Sequence, residues 1–267
     1  MPNKERLWNK IMSQIKPKMY SKPFLYRTVA IAASIALIIG FSVSALWLMN
    51  TKENTEVVFK APAGQKAEVI LPDGSSVYLN SESTLSYSTD FGTSDRVVKL
   101  DGEAYFDVVK DADKQFDVIV NDIKVVVHGT SFNVNAYKNS HPFTVSLLTG
   151  LVSVYSLPSN KMIAKLEPNH KLIIGDNGKC SLMACDAELD AIWRLGRLRI
   201  EGDGFKDLVE KMERWYGVDI KVEGRNLPNQ YWMTIKTESL REMLEIINRI
   251  TPIEYWINGE EVRIICK

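Results

Sequence analysis

Hydrophobic and polar positions divide the chain into three regimes. No charged residue occurs between Arg27 and Lys52, and Thr28 to Met49 is a run of 22 predominantly apolar residues. About 20 such residues let a helix cross the roughly 30 Å hydrocarbon core of a bilayer, so 28–49 is predicted to be a single transmembrane helix. Its polar members Thr28, Ser34, Ser42 and Ser44 carry hydroxyls that can bond a carbonyl one turn earlier. Trp47 at one end, and Tyr20 and Tyr26 at the other, suit the membrane–water interfaces. The rival reading is a cleaved signal peptide with its cleavage site near Ser42-Val43-Ser44-Ala45, but the apolar run exceeds the ~7–15 residues usual there.

From Glu56 to Asp186 the period is two. Ala67, Val69 and Leu71 alternate with polar neighbours, Pro72-Asp73-Gly74 supplies turn chemistry, and Val77 and Leu79 resume the alternation, which predicts a hairpin over 67–79. Val98 and Leu100 lead to Asp101-Gly102, a dipeptide suited to a tight turn, after which Ala104, Phe106 and Val108 alternate again. Further strands are predicted at 116–120, 123–127, 131–137, 143–148, 151–155, 162–166 and 171–174. So many strands with no helical period between them indicate an all-β domain over 50–186; alternation leaves sandwich, jelly roll and solenoid open.

Near residue 187 the period lengthens, and Ala187–Trp193 reads as a linker helix. Phe205, Leu208, Val209, Met212, Trp215 and Tyr216 form one helical stripe, with Asp203 as its expected N-cap and Gly217 as its stop. Ser239 and Glu242 are spaced as a capping box before the stripe Leu240, Met243, Leu244, Ile247, Ile250. With strands at 198–200, 218–222 and 231–235 and a closing hairpin over 253–257 and 262–265, residues 187–267 are predicted to be a small α+β module of order β-α-β-β-α-β, the hairpin standing in the last β place, as one sheet with both helices on one face.

At 45% hydrophobic and 25% charged the composition is that of a folded protein, which excludes wholesale disorder. The 33 basic and 33 acidic side chains cancel, which argues against a general nucleic-acid binder. The balance hides an asymmetry: residues 1–27 hold seven basic side chains against the single acid Glu5. Positive charge stays inside, so 1–27 is expected in the cytoplasm and everything after residue 49 across an inner membrane, in the periplasm. Within 1–27, Leu7, Trp8, Ile11, Met12 and Ile15 make an apolar stripe that suits either a groove of a partner protein or the surface of anionic lipid.

Chemistry-bearing motifs are scarce. His128, His141 and His170 belong to no zinc-type pair, no nucleophile elbow or phosphate loop occurs, and no cofactor is implied. Cys180, Cys185 and Cys266 include one pair close enough in sequence to bridge, but their spacing does not demand it. Asp111 and Asp113 fit a solvated turn rather than a calcium loop. Glu103 and Asp107 share one strand face, which the opposite placement of Ala104 and Phe106 marks as a polar outer face rather than a carboxylate pair for catalysis. Trp193, Trp215 and Trp232 raise the alternative of an anchored glycan-binding protein, although Trp215 falls on a core stripe. Tyr231, Trp232 and Met233 are three large residues on one strand that cannot all be buried on one face, which makes them candidate partner contacts.

APxGQKAEVxLPDGSxVxLN at 61–80, RVVKLDGEAYFDV at 96–108 and HGTSFNVNAY at 128–137 resemble the FecR-type periplasmic domain. Trp193, Gly196-Arg197-Leu198 and MERWYGV at 212–218 resemble that family's C-terminal module, itself related to the short N-terminal domain of secretins and TonB-dependent transducers. The resemblance is to members of the Bacteroidetes type. The resemblance implies a membrane-spanning anti-sigma regulator. It would relay a signal from the signalling domain of an outer-membrane TonB-dependent transducer to a sigma factor of the extracytoplasmic-function class. Many relatives carry a several-helix cytoplasmic domain where only residues 1–27 stand here. The resemblance also makes Gly129-Thr130 a candidate self-cleavage site, as in some members of the family, the threonine hydroxyl attacking the preceding carbonyl to give an ester that water opens. The residues by themselves fit a glycine that permits a close backbone approach within a strand.

Overall fold

The computed structural model describes residues 4–15, 23–50, 55–93, 95–138, 142–175, 178–225, 227 and 230–267. Tyr20, His141 and the Trp47 side chain lie outside the described residues. Residues 1–53 and 54–267 form two separate units.

The first unit holds α1 (Lys4–Gln14) and α2 (Pro23–Asn50). The second helix begins five residues earlier than hydropathy indicates, at a proline whose fixed φ and missing N–H suit the first helical position. Tyr26–Ala45 is long and apolar enough to cross a membrane. Ser34 Oγ donates to the Ala30 carbonyl at 2.9 Å, one turn back as expected.

Among the described residues the second unit opens with thirteen strands. The first seven are β1 (Glu56–Ala61), β2 (Ala67–Ile70), β3 (Ser76–Leu79), β4 (Ser83–Ser88), β5 (Arg96–Asp107), β6 (Phe116–Val120) and β7 (Ile123–Val127). Then come β8 (Ser131–Ala136), β9 (Phe143–Thr149), β10 (Val152–Ser156), β11 (Lys161–Leu166), β12 (His170–Ile174) and β13 (Cys180–Ala184). The 67–79 hairpin forms as expected: Asp73 Oδ1 accepts the Ser75 N–H at 2.9 Å and Gly74 takes φ +85°.

Asp101-Gly102 is not a turn, which corrects the reading of that dipeptide. β5 runs straight through it for twelve residues and belongs to two sheets. Its first half pairs with β4 and, in parallel, with β6; its second half pairs with β3 and β8. The strand bends at Gly102, at φ +106°, where an added Cβ would lie 2.5 Å from Ser83 Oγ and 2.8 Å from Ser83 Cα. Sheet β1-β4-β5-β6-β7-β10-β11 therefore faces sheet β2-β3-β5-β8-β9-β12-β13, and the open choice of β architecture resolves as a sandwich. Leu85, Val98, Val118 and Val154 of one sheet meet Val77, Phe106, Phe132 and Leu147 of the other, all fully buried. Each contributes about 1.5–3 kcal/mol by leaving water.

The linker makes a single turn, α3 (Ala187–Asp190), followed by a 3₁₀ turn over Ile192–Leu195. The C-terminal module comprises β14 (Leu198–Asp203), α4 (Phe205–Tyr216), β15 (Asp219–Gly224), β16 (Tyr231–Ile235), α5 (Leu240–Ile250), β17 (Ile253–Asn258) and β18 (Glu261–Cys266). Its order is thus β-α-β-β-α-β-β, and it has two sheets where one was expected. Among the described residues β16 pairs only with β14, whereas β15 runs parallel to β18, which also pairs with β17. Alternation marks each strand but not its partner. Both helices share one core with the two sheets, in which Leu208, Met212, Met243, Leu244, Ile247 and Ile264 are fully buried. The Ser239–Glu242 capping box is present, and Gly217 closes α4 at φ +67°. Asp203 is not the cap of α4; Gly204 is, because the Asp203 carboxylate is occupied by the Glu201 N–H at 3.0 Å and Lys211 Nζ at 2.7 Å.

Replacing Gly102 by Val forces a side chain into Ser83 and into a disfavoured φ. We expect a loss of more than about 2 kcal/mol, read from the urea midpoint of a 55–267 fragment. A wild-type midpoint would show that the bend tolerates a side chain.

Candidate functional site where the module docks on the sandwich

The residue after the bend, Glu103, does point to the same face as Asp107, but that face is covered at Glu103, which is 8% exposed. The expected polar outer face is corrected here, because the linker and α4 pack over it. Asn80 Nδ2 donates to one Glu103 carboxylate oxygen at 2.8 Å and Asn133 Nδ2 to the other at 2.9 Å. The Glu103 N–H donates to Ser83 Oγ at 2.8 Å. Burial pushes the Glu103 carboxyl above its ordinary value, while the two amide donors and the cations Arg214 and Lys211 pull it back. Asp107 stays exposed and accepts from Ser131 Oγ at 2.7 Å, so the two carboxylates do not act as a pair.

Asn133 continues the chain. Its Oδ1 accepts the Trp193 indole N–H at 3.1 Å, and Trp193 is only 4% exposed. An amide between a carboxylate and an indole can be oriented only one way, donor to the acid and acceptor to the ring. Asn80, Glu103, Asn133 and Trp193 thereby tie β5, β8 and the β3–β4 turn to the linker. Beside them the Asp190 carboxylate takes Lys171 Nζ at 2.6 Å and the Ser146 hydroxyl.

Cations on aromatic faces complete the contact. Lys66 Nζ stands 3.9 Å from the Trp215 ring centroid, Arg214 4.4 Å from Tyr137 and Arg194 4.4 Å from Tyr105. Such pairs contribute about 0.5–2 kcal/mol each. Desolvation lowers the Lys66 pKa. Trp215 thus ends its helical stripe turned toward the sandwich instead of within the module core. The closest approach is backbone to backbone: a Cβ on Gly64 or on Gly217 would fall 3.1 Å from the other glycine. The Gly64 N–H is shared between Ser81 Oγ at 2.8 Å and the Arg214 carbonyl at 3.2 Å. A cleft of about 360 Å³ remains between the two domains, walled by Tyr137, Trp193, Arg199, Lys211 and Trp215.

The other sequence candidates are dispersed. Tyr231 is not a surface contact: it is 1% exposed, and its hydroxyl bonds Thr251 Oγ1 at 2.8 Å inside the module. Met233 packs against the same core. Trp232, 64% exposed, lies beside the bulge at Gly202. With Trp193 buried and Trp215 covered by Lys66, the three tryptophans do not make a joint sugar platform. Gly129 has φ +142° and sits against Lys110, whose Cα would be 2.6 Å from an added Cβ. Thr130 is buried, its hydroxyl donating to the Leu151 carbonyl at 3.1 Å. Cys180, Cys185 and Cys266 are all free thiols. Asp111 accepts the N–H groups of Asp113 and Lys114 in a solvated turn. Among the described residues no cluster of three or more His, Cys, Asp or Glu is placed to hold a metal. Leu7, Trp8, Ile11 and Met12 of α1, and Ile15 just after it, are all exposed.

The docking network was missed from sequence. The one signal for it was Asn80, Glu103 and Asn133 lying on separate strands or turns, each inside a motif of the family resemblance.

Residues 57–153 match the family model described as FecR protein, and residues 197–264 match the one described as FecR, C-terminal. Two crystal structures from Parabacteroides distasonis ATCC 8503, each of a candidate anti-sigma factor, are similar in fold and sequence. The one at 2.50 Å resolution has a TM-score of 0.72 and 28% identity, covering 80% of this chain and all of the other. The one at 1.65 Å has a TM-score of 0.70 and 29% identity, covering 79% of this chain and 99% of the other. A search of curated proteins returned no match.

Asn133→Ala removes the donor to Glu103 and the acceptor of Trp193 together. It should cost about 3 kcal/mol and speed amide exchange in the linker and α4 more than in β6 and β7. Uniform exchange would show that the network does not hold the domains together. Because the folded Glu103 keeps its proton at pH values where the unfolded side chain has lost it, stability should fall as pH rises from about 4.5 through the folded pKa. Glu103→Gln should flatten that slope in urea titrations; an unchanged slope assigns it to another group.

Proposed function

This chain belongs to the FecR family, with the sandwich and the module each matching one of its domain models, and we propose that it regulates a sigma factor of the extracytoplasmic-function class across an inner membrane. In this reading α2 spans the bilayer, residues 1–27 face the cytoplasm, and the docked sandwich and module are periplasmic. The observation that carries it is the conjunction of a bilayer-length helix with both family domains, in a chain similar along four fifths of its length to candidate anti-sigma factors. The input is the signalling domain of an outer-membrane TonB-dependent transducer.

The module has a surface suited to that input. Among the described residues β16 pairs only with β14, so its second edge is open, and Trp232 of the same strand is exposed, its ring lying over Gly202 of β14. An incoming strand would complete the main-chain ladder there while a large aromatic supplies apolar contact. Because Tyr231 and Met233 serve the module core, Trp232 carries the recognition. Self-cleavage is not needed for this relay. The Thr130 hydroxyl is engaged with the Leu151 carbonyl, which is not a base.

Co-purification from membranes tests the reading. The chain with residues 1–27 intact should bring down a sigma factor, and a chain lacking them should not. Retention of the sigma factor by the deleted chain would refute the cytoplasmic assignment. Trp232→Ala should weaken capture of the transducer's signalling domain roughly tenfold while leaving the module folded. Undiminished capture would move the docking surface elsewhere.

A further inference from the structure

We propose that the apolar stripe of α1 lies on the anionic surface of the membrane that α2 enters, as an interfacial helix alongside the span. The inference rests on the reading that α2 crosses a bilayer, and on nothing about the sigma factor.

Three observations select lipid as the occupant. First, Leu7, Trp8, Ile11 and Met12, with Ile15 just past the helix end, are between 48 and 68% exposed. At 100° per residue they occupy about 140° of the circumference, and Arg6, Asn9, Lys10 and Ser13 fall on the opposite side. An exposed apolar stripe backed by cations is the pattern of a helix that settles at the headgroup boundary, with Trp at that depth.

Second, the charge complements lipid. Residues 1–27 carry an excess of six positive charges, and Lys16, Lys18 and Lys22 continue the basic run between the two helices. Each cation near an anionic leaflet adds to the attraction within about one Debye length, roughly 8–10 Å at physiological salt.

Third, the surface is within reach. Eight residues separate Gln14 from Pro23. Fully extended, they span about 28 Å at most. The stripe is thus tethered to the bilayer at high effective concentration, whereas a soluble partner must arrive by diffusion.

The test uses the full chain in lipid nanodiscs, with Cys180, Cys185 and Cys266 replaced by Ala. An environment-sensitive fluorophore is placed through Met12→Cys on the stripe or Ser13→Cys on the polar side. In discs containing phosphatidylglycerol the Met12 label should be blue-shifted and lose its quenching by aqueous iodide, with the Ser13 label still quenched. Arg6→Glu with Lys10→Glu should restore quenching at Met12, as should discs of phosphatidylcholine alone.

Equal quenching at both positions in anionic discs would overturn the proposal, as would protection that survives the charge reversal. Protection that appears only when a sigma factor is bound would assign the stripe to that protein instead. A chain that never enters the discs would refute the spanning reading and this inference together; one that enters with Met12 still quenched refutes this inference alone.

Discussion

The architecture of residues 54–267 depends on one backbone position that has no room for a side chain. At Gly102 a twelve-residue strand leaves one sheet and joins the other, and Ser83 fills the space where a Cβ would stand. The same serine accepts the amide hydrogen of Glu103, so the bend and the polar site share an atom. Downstream the order follows by contact: Glu103 holds Asn133, Asn133 holds Trp193, and Trp193 fixes the start of the module. A local steric constraint in the sandwich thereby sets where a second domain sits.

The contact between sandwich and module is built from directional interactions rather than an aliphatic core. Three cations stand on aromatic rings, one carboxylate accepts two amides, and Asp190 bridges a lysine and a serine. Such contacts lose strength steeply with misalignment, which favours one docking geometry over many near-equivalent ones. In the proposed relay this geometry makes sandwich and module a single mechanical body, so that a strand added at β16 displaces more than the module alone.

Strand reading located β6 and β7 residue for residue, because both are short valine-rich runs separated by the turn pair Asn121-Asp122, although neither alternates in burial. It did not single out β1, β4 or β13. In β4 small polar residues hide the alternation, and every residue of the edge strand β13 is exposed, leaving no burial pattern to read. Asp101-Gly102 misled because turn chemistry is local, whereas the partners that keep β5 extended come from β3, β4, β6 and β8. Glu103 misled for a related reason: alternation tells which face a residue occupies but not what will cover that face. Tyr231 belongs to the module core because its hydroxyl finds Thr251, a partner twenty residues away that no short pattern contains. The family resemblance, carried by motifs scattered across both domains, conveyed the overall organisation better than any single motif.

Gly64 and Gly217 meet back to back, one in a loop of the sandwich and the other at the end of a module helix. At 3.1 Å from the facing main chain, a methyl group on either sits tighter than ordinary van der Waals contact, and both glycines hold a positive φ that disfavours any side chain. Compensation cannot come from a neighbour, since the obstacle on each side is main chain. Each glycine is thus the other's nearest wall, and a residue change at this seam is constrained from both domains at once.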